Sequence, residues 1–318
     1  MYNKPIFLQP VFKERIWGGQ KLLTEYKYDI PHSKIGEAWV ISAHSNGPSV
    51  ILNGPLEGKT LADAWNEHGE LFNRKESDSE DYPLLVKILD ANADLSVQVH
   101  PDDIFATEIE GQPYGKTECW YVLNADPNSE IILGHHAKTR QELGNMIDQN
   151  EWSKLLKRVK VNAGDFIHVP SGTIHAIGKG IVILETQQSS DITYRVYDYD
   201  RVDADGKTRA LHLERAKEVT LVPHQVYKAD GHVKIIDGLM EKTLVREKYF
   251  TVYLWELDGK VMKKLTQDFL QVSVIEGKGV IAIDNEKFSI EKGNHFVLPS
   301  TVKTCQLSGK ATLIVSHK

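Results

Sequence analysis

Stretches in which apolar and polar side chains alternate, or in which apolar residues run together, recur along most of this chain. The clearest is the segment 95–101, where Val97 and Val99 alternate with Gln98 and His100. Side chains two residues apart in a β-strand point to the same face, so Gln98 and His100 should project together. Strand patterns of either kind also occur at 36–42, 49–54, 84–89, 118–123, 130–134, 159–170, 181–186, 250–257, 270–275, 279–284, 296–299 and 311–316. The chain is therefore predicted to be mainly β.

The helical period occurs in short segments between these strands. Near 60–72, Thr60 can cap a helix in which Leu61, Ala64 and Trp65 are spaced to share one face. Near 139–158 the apolar residues again follow the helical period, and a third short helix is expected at 213–218. We therefore expect a small helical insertion in a β framework.

Two segments of the chain share a sequence pattern. Residues 164–171 and 293–300 both read Gly-polar-x-apolar-x-apolar-Pro-Ser. In this register His175 of the first copy falls opposite Thr304 of the second. Two related β-barrels explain the match, although eight positions can also agree by chance.

The pattern Gly-x-x-x-x-Val-Pro-x-Gly-x-x-His at 164–175 is typical of the cupin type of jelly roll. We therefore predict two cupin-type jelly-roll barrels, the second without metal. The predicted domains are a metal-bearing catalytic domain at 1–237 and a β-rich cupin-like domain at 238–318.

Composition narrows the range of partners. The net charge of −6 gives the chain no overall attraction for nucleic acid or acidic membranes, so an anionic substrate needs a local basic cluster. Only two cysteines, Cys119 and Cys305, are present, which implies no disulfide framework. Since no apolar run reaches membrane-spanning length and the N-terminus lacks a signal-like apolar core, we expect a cytoplasmic protein.

Four side chains are candidates for a metal site. Gln98 and His100 share a strand face, Glu118 follows a loop, and His175 follows a Pro-Ser-Gly turn. Nitrogen and oxygen ligands of this kind suit Zn²⁺ with a position left for water or substrate. A single histidine on an apolar strand is usually a hydrogen-bonded core residue, so the prediction depends on the combination of all four.

Charged residues near these motifs indicate the chemistry. Lys87, Lys116 and Arg195 could meet a phosphate, and Glu185 or a His or Tyr side chain in the same cleft is a candidate acid or base. A divalent ion can polarise a carbonyl group and steady the adjacent enediolate. This combination suits proton abstraction next to a carbonyl, which is the chemistry of aldose–ketose isomerisation.

Three residues near the motifs remain ambiguous. Lys87 lies in a buried-strand pattern, where it could be an edge residue with its ammonium in water or a cation directed into a cleft. Trp17 could line a pocket or belong to the core. Cys119 adjoins Glu118, but neighbouring strand residues point to opposite faces, so we interpret it as a core thiol.

Taken together, the motifs resemble the type I mannose-6-phosphate isomerases (phosphomannose isomerases), and the likeness is closest to the short bacterial form. It covers essentially the whole chain, and the motifs are specific only in combination. They are Arg-Ile-Trp-Gly-Gly at 15–19, Gly-Glu-Ala-Trp at 36–39, Leu-Ser-Val-Gln-Val-His-Pro at 95–101, Gly-Lys-Thr-Glu at 115–118, Pro-Ser-Gly-Thr-Ile-His-Ala at 170–176 and Tyr-Arg-Val-Tyr-Asp at 194–198.

The resemblance implies a cupin-type fold, one Zn²⁺ per chain and interconversion of mannose 6-phosphate with fructose 6-phosphate. By motif position, the family's zinc ligands fall on His100, Glu118 and His175, with Gln98 the fourth in many members. Its other cleft residues fall on Arg195 as the active-site arginine, Lys87 and Lys116 as the lysines, Glu185 as the carboxylate and Ser96 as a serine near the substrate phosphate.

Two other classes of function stay open. One is a different cupin metalloenzyme, either another sugar-phosphate isomerase or an Fe(II) oxygenase, and the other is a non-catalytic sugar-binding cupin. Lys116, Glu185 and Arg195 favour catalysis, because a structural metal site does not need them. We expect a small sugar phosphate as partner, no nucleic acid or membrane, and a monomer or weak homodimer; the sequence does not reveal which residue carries the proton.

Overall fold

The structure is a computed structural model that describes residues 2–75, 77–202, 206–227 and 231–318. Strands dominate it, in agreement with the prediction of a mainly β, cupin-type chain. In chain order the strands are β1 (Ile6–Gln9), β2 (Val11–Gly19), β3 (Ile35–Ile41), β4 (Val50–Ile51), β5 (Leu84–Ala91), β6 (Val97–Val99), β7 (Glu118–Ala125), β8 (Glu130–His135), β9 (Leu156–Lys160), β10 (Phe166–Val169), β11 (His175–Ile177), β12 (Ile181–Gln188), β13 (Tyr194–Tyr197), β14 (Val233–Ile236), β15 (Leu239–Arg246), β16 (Thr251–Lys264), β17 (Phe269–Ile283), β18 (Glu286–Glu291), β19 (His295–Pro299) and β20 (Thr304–His317).

The helices are short. They are α1 (Lys21–Thr24), α2 (Leu61–Glu67), α3 (Asp103–Glu110), α4 (Arg140–Asp148), α5 (Trp152–Leu155) and α6 (Leu213–Val219), with 3₁₀ turns at Gly54–Leu56 and Gly69–Phe72. In the described ranges, no helix combines the length and apolar character needed to cross a membrane.

The predicted helical segments are observed with two differences, of which the first is that α2 ends at Glu67 and is followed by the separate 3₁₀ turn Gly69–Phe72. Thr60 caps α2: its hydroxyl accepts from the Asp63 amide at 3.0 Å, and the Asp63 carboxylate accepts from the Thr60 amide at 2.8 Å. The second segment ends at Leu155 and not at 158, because Leu156 already pairs with His135 in the ladder of β8 and β9. Strand pairing outweighed helical periodicity at this point.

The strands form three sheets. A six-stranded sheet has the order β10-β7-β12-β5-β2-β3, and a five-stranded sheet has the order β13-β6-β11-β8-β9. A nine-stranded sheet has the order β14-β15-β16-β20-β17-β19-β1-β4, with β18 attached to β17. The first two sheets carry the motifs that the sequence analysis singled out.

Apolar side chains fill the space between the six- and five-stranded sheets. Trp120 and Ile183 of the six-stranded sheet share one buried cluster with Ile131 and Ile177 of the five-stranded sheet. The outer face of the five-stranded sheet is covered by the helices, since Val97 and Val99 cluster with Leu143 of α4. The side chains on the opposite face from these valines are therefore free to form a site between the two sheets.

The two segments that share a sequence pattern adopt matching local structures. Gly164 and Gly293 both have φ of 92°, which a residue with a side chain rarely adopts. The residue after each glycine accepts a hydrogen bond at its side-chain oxygen: Asp165 from the amide of Asn162 at 2.7 Å, and Asn294 from the amide of Glu291 at 2.9 Å. Strands β10 and β19 follow the two turns.

Candidate active site

Three side chains of the five-stranded sheet lie side by side across neighbouring strands. The register pairs Gln98 of β6 with His175 of β11 on one side and with Arg195 of β13 on the other. His100 follows β6 directly and, as the alternation predicted, shares the orientation of Gln98, while Val97 and Val99 are buried on the other face.

The six-stranded sheet supplies a second row. Trp39 of β3 pairs with Lys87 of β5, Lys87 pairs with Glu185 of β12, and Glu185 pairs with Trp120 of β7. The two rows line one cleft of about 480 Å³. A side chain from the middle of each strand can therefore act on a molecule held between the sheets.

His100, Glu118 and His175 meet at the floor of this cleft. Each offers one ligand atom within 4.8 Å of the other two, and all three side chains are about 1% exposed or less. Glu118 Oε1 lies 3.3 Å from His175 Nε2, and Glu118 Oε2 lies 3.5 Å from His100 Nε2. Among the residues that the structure describes, this is the one such group of histidine, cysteine and carboxylate side chains.

Both imidazoles are oriented to present Nε2. Nδ1 of His100 is 2.7 Å from the carbonyl of Ile192, and Nδ1 of His175 is 2.8 Å from the carbonyl of Thr173. Since a carbonyl only accepts, each Nδ1 carries the hydrogen and each Nε2 presents a lone pair. Burial lowers the pKa of His100 well below its ordinary value and that of His175 to about 4, so both rings are neutral, as a metal ligand requires.

The donor set fits a divalent cation. In the described part of the chain, Glu118 Oε2 is buried without a hydrogen bond of good geometry, although Lys116 Nζ lies 3.0 Å away. Such an oxygen beside two imidazole lone pairs is the arrangement that a metal ion satisfies. The amide of Gln98 lies 3.3 Å from His175 Nε2, and a half-turn of that amide brings its oxygen to the same place.

Buried charges of alternating sign continue from this group into the cleft. Lys116 Nζ is also 3.2 Å from His100 Nε2, and Lys87 Nζ is 3.4 Å from Glu185 Oε2. Burial opposes the charge on Lys116, but Glu118 and Glu185 outweigh it and raise the pKa of this lysine. Burial, followed by the charge of Glu118, raises the pKa of Glu185, whose Oε1 accepts a hydrogen bond from Trp120 Nε1 at 3.1 Å.

The structure distinguishes between the two interpretations of Lys87. The lysine is 6% exposed in a strand with partners on both sides, so its ammonium is directed into the cleft and is not at a sheet edge. Both interpretations of Trp17 hold, because its side chain lines the cleft and also packs in the core cluster between the sheets. Cys119 is buried in the core behind the six-stranded sheet, as expected for a thiol on the other face.

Glu37 and Trp39 belong to the cleft, although the sequence analysis gave them no role. Glu37 is buried; its Oε1 accepts from Arg15 Nε and its Oε2 from Trp39 Nε1, both at 2.7 Å. Burial would raise the pKa of Glu37, but Lys87, Arg15 and these hydrogen bonds lower it. A glutamate two residues before a tryptophan in an otherwise apolar strand was the signal that could have identified the pair.

The open end of the cleft is basic. Arg195 Nε lies 3.3 Å from the hydroxyl of Ser96, and Nη1 donates to the carbonyl of Ala210 at 2.9 Å. Arg209, which the sequence analysis missed, lines the same end, and both oxygens of Asp198 accept hydrogen bonds from it, at 2.6 and 2.7 Å. Burial and then the charge of Arg209 lower the pKa of Arg195, which indicates two cations close together.

The structure therefore brings the predicted site residues into one cleft. The side chains that line its walls include Trp17, Lys87, Ser96, Gln98, Lys116, His175, Glu185 and Arg195. His100 and Glu118 complete its floor through their contacts with Lys116 and His175.

Comparisons with known proteins agree with this geometry. Residues 6–129 match the catalytic domain of phosphomannose isomerase type I, and residues 240–318 match the cupin domain of mannose-6-phosphate isomerase. A mannose-6-phosphate isomerase of Bacillus subtilis is 49% identical over 317 residues, which is 100% of both chains. One of Streptococcus mutans is 49% identical over 314 residues, covering 99% of this chain and 98% of the relative.

A solved structure extends the agreement to three dimensions. The crystal structure of the mannose 6-phosphate isomerase from Bacillus subtilis superposes with a TM-score of 0.95 at 47% identity, with 99% of each chain covered. The family resemblance drawn from the motifs is thus confirmed over the full length. This chain is therefore an isomerase of the type I phosphomannose isomerase family.

Proposed function

We propose that this protein interconverts D-mannose 6-phosphate and D-fructose 6-phosphate with one Zn²⁺ held by His100, Glu118 and His175, and by Gln98 as the fourth ligand. The observation that carries the proposal is the buried group of two neutral imidazoles and one carboxylate at the floor of a cleft with a basic mouth. Mixed nitrogen and oxygen donors suit zinc, and such a site keeps a position open for the substrate. When bound, the ion would act as a Lewis acid on the oxygens at C1 and C2 of the sugar.

Glu185 is the proton carrier in this proposal. Its carboxylate is buried, lies at the centre of the row on the six-stranded sheet, and has a raised pKa, which suits a base that must hold a proton briefly near neutral pH. It takes the proton from C2 of the open-chain aldose; the C–H electron pair forms the C1–C2 double bond, and the π pair of the C1 carbonyl moves onto O1 to give the enediolate. The hydroxyl proton of O2 then passes to O1, and Glu185 returns its proton to C1 as O2 becomes the carbonyl oxygen.

Lys116 and Lys87 stabilise the negative charge that develops on the sugar oxygens during this transfer. Both ammonium groups are buried beside carboxylates, so they are positioned before the substrate arrives. A preorganised donor of this kind is worth roughly 3 kcal/mol in the transition state. Lys87 is also fixed by the face of Trp39, with its Nζ 5.0 Å from the ring centroid.

The phosphate of the substrate binds at the basic mouth. Ser96, Arg195 and Arg209 present a hydroxyl and two guanidinium groups there, a set that recognises a phosphate by charge and by directed hydrogen bonds. With the phosphate bound there, C1 and C2 of the sugar would face Glu118 in this proposal. Trp17 forms part of the wall against which the sugar would lie.

A coupled assay with mannose 6-phosphate tests the proposal. Purified protein should turn over the substrate, lose activity when a chelator removes the metal, and regain activity when Zn²⁺ is added. The activity should be the same in the presence and in the absence of oxygen. Unchanged activity in the fully metal-free protein would contradict the role of the metal. A requirement for oxygen would favour an oxygenase, and binding of the sugar phosphate without turnover would favour a sugar-binding cupin.

The predicted domain boundary, cellular location and oligomeric state remain proposals, which can be tested on the same purified protein. The division into domains at 1–237 and 238–318 is one, and strands β1, β4 and β14 join the nine-stranded sheet from before that boundary. A cytoplasmic location and a monomeric or weakly dimeric state are the others.

A further inference from the structure

Lys116 precedes its strand and is not held by a sheet ladder. Strand β7 begins at Glu118, which pairs with Val169 and with Gln187. The three residues before it, Gly115 to Thr117, are outside any strand. The position of the Lys116 ammonium therefore depends on contacts that this loop makes elsewhere.

All three loop amides are bound by residues from other elements. The Gly115 amide donates to Asp103 Oδ1 at 3.0 Å, and the Thr117 amide donates to Gln188 Oε1 at 2.9 Å. Between them, the Lys116 amide donates to the carbonyl of Pro101 at 3.0 Å. Three consecutive amides with separate acceptors leave this backbone little freedom to move.

Gln188 and Asp103 are joined to each other as well. The side-chain Nε2 of Gln188 donates to the same Asp103 Oδ1 at 2.8 Å. The backbone N–H of Gln188 donates to the Thr117 carbonyl at 3.1 Å. Gln188 is 3% exposed at the end of β12, the strand that carries Glu185. The loop of Lys116 is thereby tied to the strand of the proposed proton carrier.

Local packing fits a tightly held loop. A Cβ atom on Gly115 would lie 2.3 Å from the carbonyl carbon of Asp102, so only glycine allows the loop to approach α3 this closely. On the other side, the Ser171 amide donates to Thr117 Oγ1 at 3.2 Å, which connects the loop to the turn that precedes His175.

We propose that Gln188 and Asp103 are positioning residues for catalysis: by binding the amides on either side of Lys116, they fix its ammonium beside Glu118 and His100. Glu118 itself is held by the ladder, so loosening the loop should displace Lys116 and leave the metal ligands in place. The inference rests on the proposed isomerisation at this site. A misplacement of about 1 Å in a catalytic group can cost roughly 100-fold in rate.

Two pairs of variants separate positioning from general stability. Gln188→Met removes both side-chain hydrogen bonds, and Gln271→Met makes the same change at a buried glutamine outside the cleft that bonds Tyr82 and Ser316. Asp103→Ala removes the shared acceptor, whereas Asp103→Asn keeps an oxygen in the same place. Since Asp103 is partly exposed, its variants should fold even if Gln188→Met does not.

The measurements are kcat and KM for mannose 6-phosphate, zinc per chain, and hydrogen exchange of residues 115–117. In Gln188→Met and Asp103→Ala we expect kcat to fall about tenfold or more with KM within about threefold, zinc near one per chain, and faster exchange of the loop amides. In Gln271→Met and Asp103→Asn, kcat should stay within about twofold of that of the parent protein.

Three results would overturn the inference. One is an unchanged kcat in Asp103→Ala and Gln188→Met despite faster loop exchange, and another is an equal loss of kcat in Gln271→Met. The third is a loss of bound zinc that parallels the loss of activity in these variants, because the loop would then hold the metal ligand Glu118 in place and not Lys116 alone. Failure of the proposed function is distinct from all three, since the parent protein itself would lack turnover.

Discussion

Nζ of Lys87 lies 3.4 Å from Oε2 of Glu185, across two neighbouring strands and with both side chains buried. The ammonium favours the ionised carboxylate and so lowers a pKa that burial and Glu118 raise. A base acts only when it is deprotonated, so activity should fall as the pH drops through the pKa of Glu185.

Lys87→Met should therefore move the acidic limb of the kcat–pH profile to higher pH. Removing the cation takes away an interaction that lowers the pKa of Glu185, and nothing else in the substitution compensates for it. The profile of the variant is compared with that of Lys154→Met, which changes an exposed lysine outside the cleft. A limb that stays in place, or moves to lower pH, would show that Glu185 is not the base.

Glu185→Gln should lower kcat by roughly 10²- to 10⁴-fold, the range expected when a general base is removed, with KM changed little. The amide keeps the shape of the side chain and can still accept from Trp120, so the fold and the zinc content should be retained. The decisive measurement is exchange of the substrate C2 proton with solvent in D₂O. Exchange at the parent rate in this variant would assign the proton to another residue.

His100→Ala should bind zinc less tightly and should also unfold at a lower temperature in the presence of zinc. The change removes one of the three buried side chains proposed as zinc ligands and leaves the Ile192 carbonyl without its donor. Zinc per chain and the melting temperature with and without chelator provide the readout. His68→Ala, on the surface at the end of α2, is the matched control and should behave like the parent protein. Retention of one zinc per chain in His100→Ala would contradict the ligand assignment.

Arg195→Ala should reduce kcat/KM by about 10- to 100-fold, the value of a charged hydrogen-bonding contact to phosphate. Zinc should stay near one per chain, because the Arg195 side chain bonds Ser96 and Ala210 and none of the three proposed ligand side chains. Arg158→Ala changes an exposed arginine and should have no such effect. Loss of metal in Arg195→Ala would mean that the arginine serves the metal site and not the substrate.

Acid should release the bound zinc only well below neutral pH. The pKa of His175 is lowered to about 4 by burial, so protons compete weakly with the metal at this ring until the pH approaches that value. Bound zinc, measured after dialysis across a pH series, should therefore remain near one per chain well below neutral pH. Release of zinc near pH 6.5, the ordinary pKa of histidine, would contradict buried neutral ligands.

Much of the local structure followed from the sequence. Period-two alternation placed Gln98 and His100 on one face, and the cap at Thr60 and the repeated Gly-polar turn were visible in the residues themselves. These features depend on neighbours within a few positions, so the sequence of the segment carries the information. The boundary at Leu155 was missed because the pairing of β9 with β8 competes there with helix formation.

The roles of individual charged residues required the tertiary structure. A lysine in an apolar strand can reach solvent or a cleft, and only the pairing of β5 on both sides decides this for Lys87. Gln188 escaped notice because its partners Thr117 and Asp103 lie far away in the sequence. Which segments lie beside the end of β12 depends on the register between strands, which no local pattern specifies. Glu37 and Arg209 have nearer partners in Trp39 and Asp198, but the cleft that they line forms only when the sheets pack.

The sequence by itself determined many of the strands, the helical segments near 60–72, 139–158 and 213–218, the family and the residue types of the candidate site. The tertiary structure decided which of those side chains meet, how the imidazoles present Nε2, and which buried groups hold Lys116 in place. The physical reason is that alternation fixes the face on which a side chain lies. The packing of two sheets then fixes which faces meet and which charges are buried together.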